Sequence, residues 1–227
     1  MTETISIGKR FNGPPSSANG GYAAGLFAAL VGGKAEVILR RPPPLDEPLE
    51  VVRKDNSRAE VRHGRALVAE AVPVELELEV PEPPSLEEAE EARARYAGFE
   101  RHAYPTCFTC GPERPDGLRI FPGPVSRRPL VAAPWLPPSD DVAAEVAWAA
   151  LDCPAGWAID TFNREGVLLG TIAATVHGVE GGEPHVVVGW PRGADGRKRY
   201  AGSAVFSSRG ELRAYARSTW LVPAAAS

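Results

Sequence analysis

The sequence predicts an α+β fold built twice over, each half an apolar helix followed by an antiparallel run of strands. Three observations carry this reading. Ala18 to Val31 and Val142 to Asp152 are apolar almost all round, the mark of buried helices. Each is followed by short strand-like runs punctuated by glycine turns. The last run of one half, Gly64-Arg65-Ala66-Leu67-Val68-Ala69-Glu70-Ala71, parallels Gly210-Glu211-Leu212-Arg213-Ala214-Tyr215-Ala216 in the other, as an internal duplication would.

In chain order, Gly32-Gly33 ends the first helix. Strands are predicted over Ala35–Arg41, Leu49–Lys54, Arg58–His63 and Arg65–Val80, with Gly64 as the turn before the last. Val74, Leu76, Leu78 and Val80 alternate onto one face of that strand. Ser85 with Glu88 reads as a capping box for a charged helix from Pro84 to Arg95 that mostly faces water. That helix is the connector, giving an N-terminal unit 1–83, a linker 84–103 and a C-terminal unit 104–227. In the second unit, Leu118–Phe121 and Leu130–Trp135 are candidate strands. Asp140 and Asp141 are placed to cap the second helix, and Pro154 to break it. Strands follow over Val167–His177, His185–Trp190, Lys198–Ser207 and Glu211–Val222.

Composition excludes several classes of function. The 227 residues carry 25 basic and 29 acidic side chains, for a net charge of -4. A mildly acidic chain without a basic block is a poor partner for nucleic acid or an anionic membrane. No apolar run approaches the roughly 18–20 residues that a membrane span needs, and the N-terminus has no secretory h-region. Three cysteines fit a reducing cytoplasm better than a disulfide scaffold.

Four segments carry a likeness to a known family. Asn19-Gly20-Gly21-Tyr22, at the start of the first helix, resembles the His-Gly-Gly motif of hot-dog acyl-CoA thioesterases of the phenylacetyl-CoA type. Arg40-Arg41-Pro42 resembles the Arg/Pro element that follows that helix. Cys107-Phe108-Thr109-Cys110-Gly111-Pro112 with Gly117-Leu118 resembles the CxxCGP…GL opening of many single-domain members. Leu151-Asp152 with Gly156-Trp157 resembles their Leu-Asp-Glu…Gly-Trp segment. The resemblance implies a tandem (double) hot-dog, in which curved antiparallel sheet wraps a central helix in each half. It also implies hydrolysis of a fatty or aromatic acyl-CoA, with no cofactor beyond the coenzyme A of the substrate. The alternative is a hot-dog that binds an acyl ligand without turnover. Two such chains are expected to pair further as a homodimer, a pseudo-tetramer of hot-dogs.

The departures from the family pattern define the expected site. Nine residues after Asn19, where the family places its acid, stands Ala28; nine before Asp152 stands Ala143, with no glycine pair. One complete site would then combine Asn19, Gly20 and Gly21 of the first half with Asp152 of the second. The opposite pairing, Ala28 with Ala143 and Ala144, would be degenerate. Free N–H groups at a helix start suit an oxyanion, and Asp152 suits a general base or a nucleophile. Asn19 suits either orientation of substrate or water, or a helix N-cap. Tyr22, Phe27, Trp148, Trp157 and Phe162 are candidates to line an acyl pocket, with plain core as the default. Arg197, Lys198 and Arg199 form a basic hairpin end that suits phosphates or merely solvent. Cys107 and Cys110 supply two metal ligands where a structural zinc takes four; Cys153 with His102, His177 or His185 could complete a set, but none stands at a second knuckle spacing, so no metal is expected.

Overall fold

The computed structural model describes residues 3–54, 57–159 and 167–223. Strands β1 (Thr4–Ile5), β2 (Ala35–Leu39), β3 (Leu49–Arg53), β4 (Ala59–His63) and β5 (Ala66–Pro73) come from the first half. Strands β6 (Gly123–Pro124), β7 (Val131–Trp135), β8 (Leu168–Val176), β9 (His185–Asp195), β10 (Lys198–Ser207) and β11 (Leu212–Leu221) come from the second. Together they make one antiparallel sheet in the order β1-β3-β4-β5-β2-β8-β11-β10-β9-β7-β6. The halves meet at β2 and β8, where Val37 lies opposite Ile172. From that seam the order runs outward alike on both sides: β2-β5-β4-β3 on one, β8-β11-β10-β9 on the other.

Helices α1 (Gly20–Ala29) and α3 (Ala144–Trp157) pack on each other and against the sheet. Both are almost wholly apolar because they lie inside the main core with Val37, Val61, Ile172, Val187 and Val205. Helix α2 (Leu86–Arg93) covers the opposite face of the second half. Strand β9 is therefore buried on both sides: Val187 joins the main core, while Val186 and Val188 join Ala89 and Ala92 of α2. A strand covered on both faces reads as a continuous apolar run, as Val186-Val187-Val188 does. The connector helix begins as its sequence dictates. Ser85 Oγ accepts from Glu88 N–H (3.1 Å) and Glu88 Oε2 accepts from Ser85 N–H (2.7 Å).

Four expectations are corrected. The strand predicted to Val80 stops at Pro73. Residues 74–80 keep the alternating burial but have no ladder partner; the stretch lies along the second half, where Leu76 C=O accepts from Tyr215 Oη–H (3.2 Å) and Val80 packs near α2. Leu118–Phe121 is not a strand: Leu118 N–H and Ile120 N–H fold back onto Phe108 and Thr109 carbonyls. Asp140 and Asp141 do not cap α3. Ala143 holds the N-cap position without a side-chain bond, and the preceding loop is tied to Val179 and Gly182 instead. Pro154 does not end α3 but sits in its last turn, where only the Ala150 carbonyl loses a donor. Among the described residues, no helix is long and apolar enough to cross a membrane.

Candidate active site

Helices α1 and α3 cross where α1 has no side chain. A Cβ on Gly21 would lie 2.5 Å from both Asp152 Cβ and Trp148 O, and one on Gly25 would lie 2.5 Å from Glu145 Cα. Ordinary carbon contacts need about 3.5–4.0 Å. The glycines thus allow backbone-to-backbone approach, and that approach delivers Asp152 to the N-terminus of α1. Asp152 Oδ2 accepts a hydrogen bond from Gly21 N–H at 2.8 Å. Its other oxygen, Oδ1, is buried and has no hydrogen-bond partner among the described residues.

The first turn of α1 has few free donors left. Asn19 is its N-cap: Oδ1 accepts from Tyr22 N–H (2.9 Å), and Asn19 N–H bonds Phe11 C=O (2.7 Å). Gly21 N–H is taken by Asp152. Gly20 N–H is the one donor of this turn that meets no acceptor among the described residues, and Gly20 lines the adjoining cleft. Of the two glycine N–H groups expected to face an oxyanion, Gly21 N–H is committed to the carboxylate and Gly20 N–H is left available. Gly21 becomes the contact that holds the carboxylate.

Asp152 is only 3% exposed. Burial pushes its pKa up to about 7; Gly21 N–H pulls it down, Cys107 nearby pushes it up, and the Asn19 amide favours the charged form without making a regular hydrogen bond to it. A carboxyl that exchanges its proton near neutrality suits acid–base work.

The cleft beside these groups runs between the 13–20 segment, Arg40 to Pro43, and the ends of β8 and β11. Its wall is largely apolar, with Leu39, Leu168, Leu169 and Leu221, and it also includes Asn19, Gly20 and Asp152. Two cations reach it. Arg40 is paired with Glu70 (2.6 Å), whereas Arg41 is exposed and has no ion-pair partner among the described residues. In the sequence Arg41 stands out only within Arg40-Arg41-Pro42. Its place as an exposed cation at a cleft, with no ion-pair partner among the described residues, exists only in three dimensions.

The aromatic candidates fall elsewhere. Tyr22 stacks on Phe11 (3.9 Å between ring centroids), and burial raises its pKa to about 12. Phe27 and Trp148 are core side chains, and Trp157 packs on Tyr96 and His102. None of the four is among the residues that line the cleft. Phe162 lies outside the described residues. Arg197, Lys198 and Arg199 sit at the exposed β9–β10 hairpin end. Arg197 is tied to Val222, the residue just past the end of β11, through its Nε–H to the Val222 carbonyl (2.9 Å).

One group of residues comes together that spacing did not reveal. Cys107, Cys110 and Cys153 bring their sulfurs within 4.8 Å of one another on the cleft wall beside Asn19. Cys153 follows Asp152 on α3, whereas the other two belong to a loop 46 residues earlier by the Cys107–Cys153 separation. In this trio Cys107 loses its proton most readily, because Cys110 and Cys153 donate to its sulfur; their own pKa values are pushed up.

No family model and no curated protein matches the sequence. Solved structures do match over nearly the whole chain. A putative thioesterase from Novosphingobium aromaticivorans is 11% identical, with 97% of this chain and 95% of that chain covered and a TM-score of 0.65. A conserved protein of unknown function with hot dog fold from Alicyclobacillus acidocaldarius is 13% identical, covering 98% and 93%, with a TM-score of 0.60. An acyl-CoA thioesterase II from Mycobacterium marinum is 14% identical, covering 97% and 92%, with a TM-score of 0.57. The chain has the hot-dog fold.

Proposed function

We propose that this hot-dog chain is a fused pair, units 1–83 and 104–227 joined by the 84–103 connector, and that it hydrolyses an acyl thioester, an acyl-CoA in the first instance. The mirrored strand order about the β2–β8 seam supports the fusion, with α1 as the central helix of one unit and α3 of the other. The observation that carries the function is the Asp152–Gly21 contact. It places a buried carboxylate from one helix against the start of the other, beside an apolar cleft. Solved structures of similar fold that are named thioesterases support the same reading.

In this reading the acyl chain lies along Leu168, Leu169 and Leu221, and the thioester carbonyl accepts from Gly20 N–H. That donor stabilises the charge developing on oxygen; removal of one such donor elsewhere costs about 10²–10³ in kcat. Asp152 uses its unpaired Oδ1 in one of two ways: it takes a proton from the water that attacks the carbonyl carbon, or it attacks that carbon itself, breaking the C–S bond and releasing the coenzyme A thiolate to leave an anhydride that water then opens; in both the thiolate departs and is protonated from solvent. Asn19 shapes the turn rather than exchanging protons. Arg41, at the cleft edge, suits a phosphate of coenzyme A.

The test is thiol release from short, long and aromatic acyl-CoAs by wild type, Asp152→Asn and Asp152→Ala, with folding checked by circular dichroism. Turnover by wild type that falls about 10²–10⁴-fold in both variants is the expected result. Turnover indifferent to Asp152 would refute the site. Tight acyl-CoA binding without turnover on any substrate would refute hydrolysis and leave the ligand-binding alternative.

A further inference from the structure

The Cys107–Cys110 loop is folded to present both sulfurs on one side. Gly111 N–H bonds back to Cys107 C=O (2.9 Å), so tightly that a Cβ on Gly111 would lie 2.5 Å from Cys107 N. Helix α3 then brings Cys153 against the pair. The Cys107 and Cys153 sulfurs are 3.8 Å apart. That is far beyond the roughly 2.05 Å of a disulfide. It matches the separation of about 3.8 Å that two sulfurs take when each is about 2.3 Å from a tetrahedral zinc ion.

The polar groups around the sulfurs are turned to donate. Asn19 Oδ1 must face the Tyr22 N–H that it accepts, so its Nδ2–H₂ points at Cys107 Sγ and Cys153 Sγ, 3.9 Å from each. His102 Nδ1 accepts from Tyr104 N–H (2.9 Å). A neutral imidazole then carries its proton on Nε2, which lies 3.4 Å from Cys110 Sγ. Donors converging on three sulfurs are the surroundings that ligand thiolates keep. With His102 turned to donate, the protein supplies three ligands, and all three line the cleft; three protein ligands are the count of an open zinc site.

We propose that Cys107, Cys110 and Cys153 bind one zinc-like divalent cation as thiolates, with the fourth coordination position open to the cleft and His102 as a hydrogen-bond donor to Cys110. Soft sulfur ligands in tetrahedral array select zinc over magnesium or calcium. Binding displaces the remaining thiol protons to solvent and involves no redox change. The proposal is independent of thioester hydrolysis, because metal content is read without substrate.

The test uses the full chain purified under reductant. Metal content is measured by mass spectrometry, and chelator-stripped protein is titrated with Zn(II) and Co(II). The expected result is one zinc per chain, released in step with thiol titration by an organic mercurial. Co(II) should give thiolate-to-cobalt charge-transfer bands and the visible bands of a tetrahedral site. Cys153→Ser should lose them, and the mercurial release from wild type reports on the site without any variant. His102→Ala should keep the bands and weaken zinc by about 10–100-fold, the usual cost of losing an outer partner. Reduced protein that takes up neither metal would overturn the proposal. So would a Cys107–Cys153 disulfide forming under the same conditions. Loss of the Co(II) bands in His102→Ala would overturn the three-thiolate site in favour of a histidine ligand.

Discussion

Gly21→Ala tests the geometry on which the site depends. The new Cβ would stand 2.5 Å from Asp152 Cβ and 2.5 Å from Trp148 O, neither of them the free end of a flexible side chain. To reach ordinary contact the helices must part by about 1 Å. Overpacking of this kind costs about 1–3 kcal/mol. Weakening a buried hydrogen bond to a charged group costs about 1.5–3 kcal/mol more, while alanine's helix preference returns about 1 kcal/mol. The net expectation is a loss of about 3 kcal/mol, read as a lower urea midpoint with an unchanged slope. Thiol release should fall at least tenfold, because Asp152 loses the contact that orients it. Gly25→Ala meets the same crowding at Glu145 and should cost similar packing energy, yet it leaves the Gly21–Asp152 bond one turn away. It should therefore keep more activity per folded molecule. A Gly21→Ala protein within about 0.5 kcal/mol of wild type and fully active would refute the close-approach argument.

Four further outcomes are expected. Asp152 is protonated below about pH 7 in the folded chain, so kcat/KM should rise with pH through that value and then level off, and the rise should disappear in Asp152→Asn. The sign for stability is opposite: a carboxyl pKa raised by folding from the usual 3.8 stabilises at low pH, and that contribution is lost as pH climbs from about 3.8 to about 7. Urea unfolding at several pH values should therefore show Asp152→Asn gaining on wild type as pH rises. Arg41→Ala should raise KM for acyl-CoA up to about 5-fold with kcat little changed, since an exposed ion pair contributes at most about 1 kcal/mol; an unchanged KM would remove Arg41 from the site. Ser85→Ala should lower stability by about 1 kcal/mol through loss of the capping box, with activity unaffected, as read by thermal melts and thiol release.

Local chemistry made much of the fold legible in the sequence. Two apolar helices, the Ser85–Glu88 box and most strands follow from periodicity, capping and turn residues, which act over a few positions. Where the sequence reading failed, a distant partner decided. Residues 74–80 alternate like a strand, but no neighbour offers them a ladder. Asp140 and Asp141 are good caps in the wrong place, because the loop is tied to Val179 and Gly182.

At the site, the sequence by itself determined which residues stand out: an acid on an apolar helix, a glycine pair at a helix start, and a CxxC. Their contacts were decided only by tertiary structure. The approach of α3 to α1 commits Gly21 N–H to Asp152, while Gly20 N–H meets no acceptor among the described residues. The same approach carried Cys153 to Cys107 across 46 positions of chain. Residue types and short spacings are written along the chain, whereas contact between distant segments is fixed by packing, and packing depends on the whole core at once.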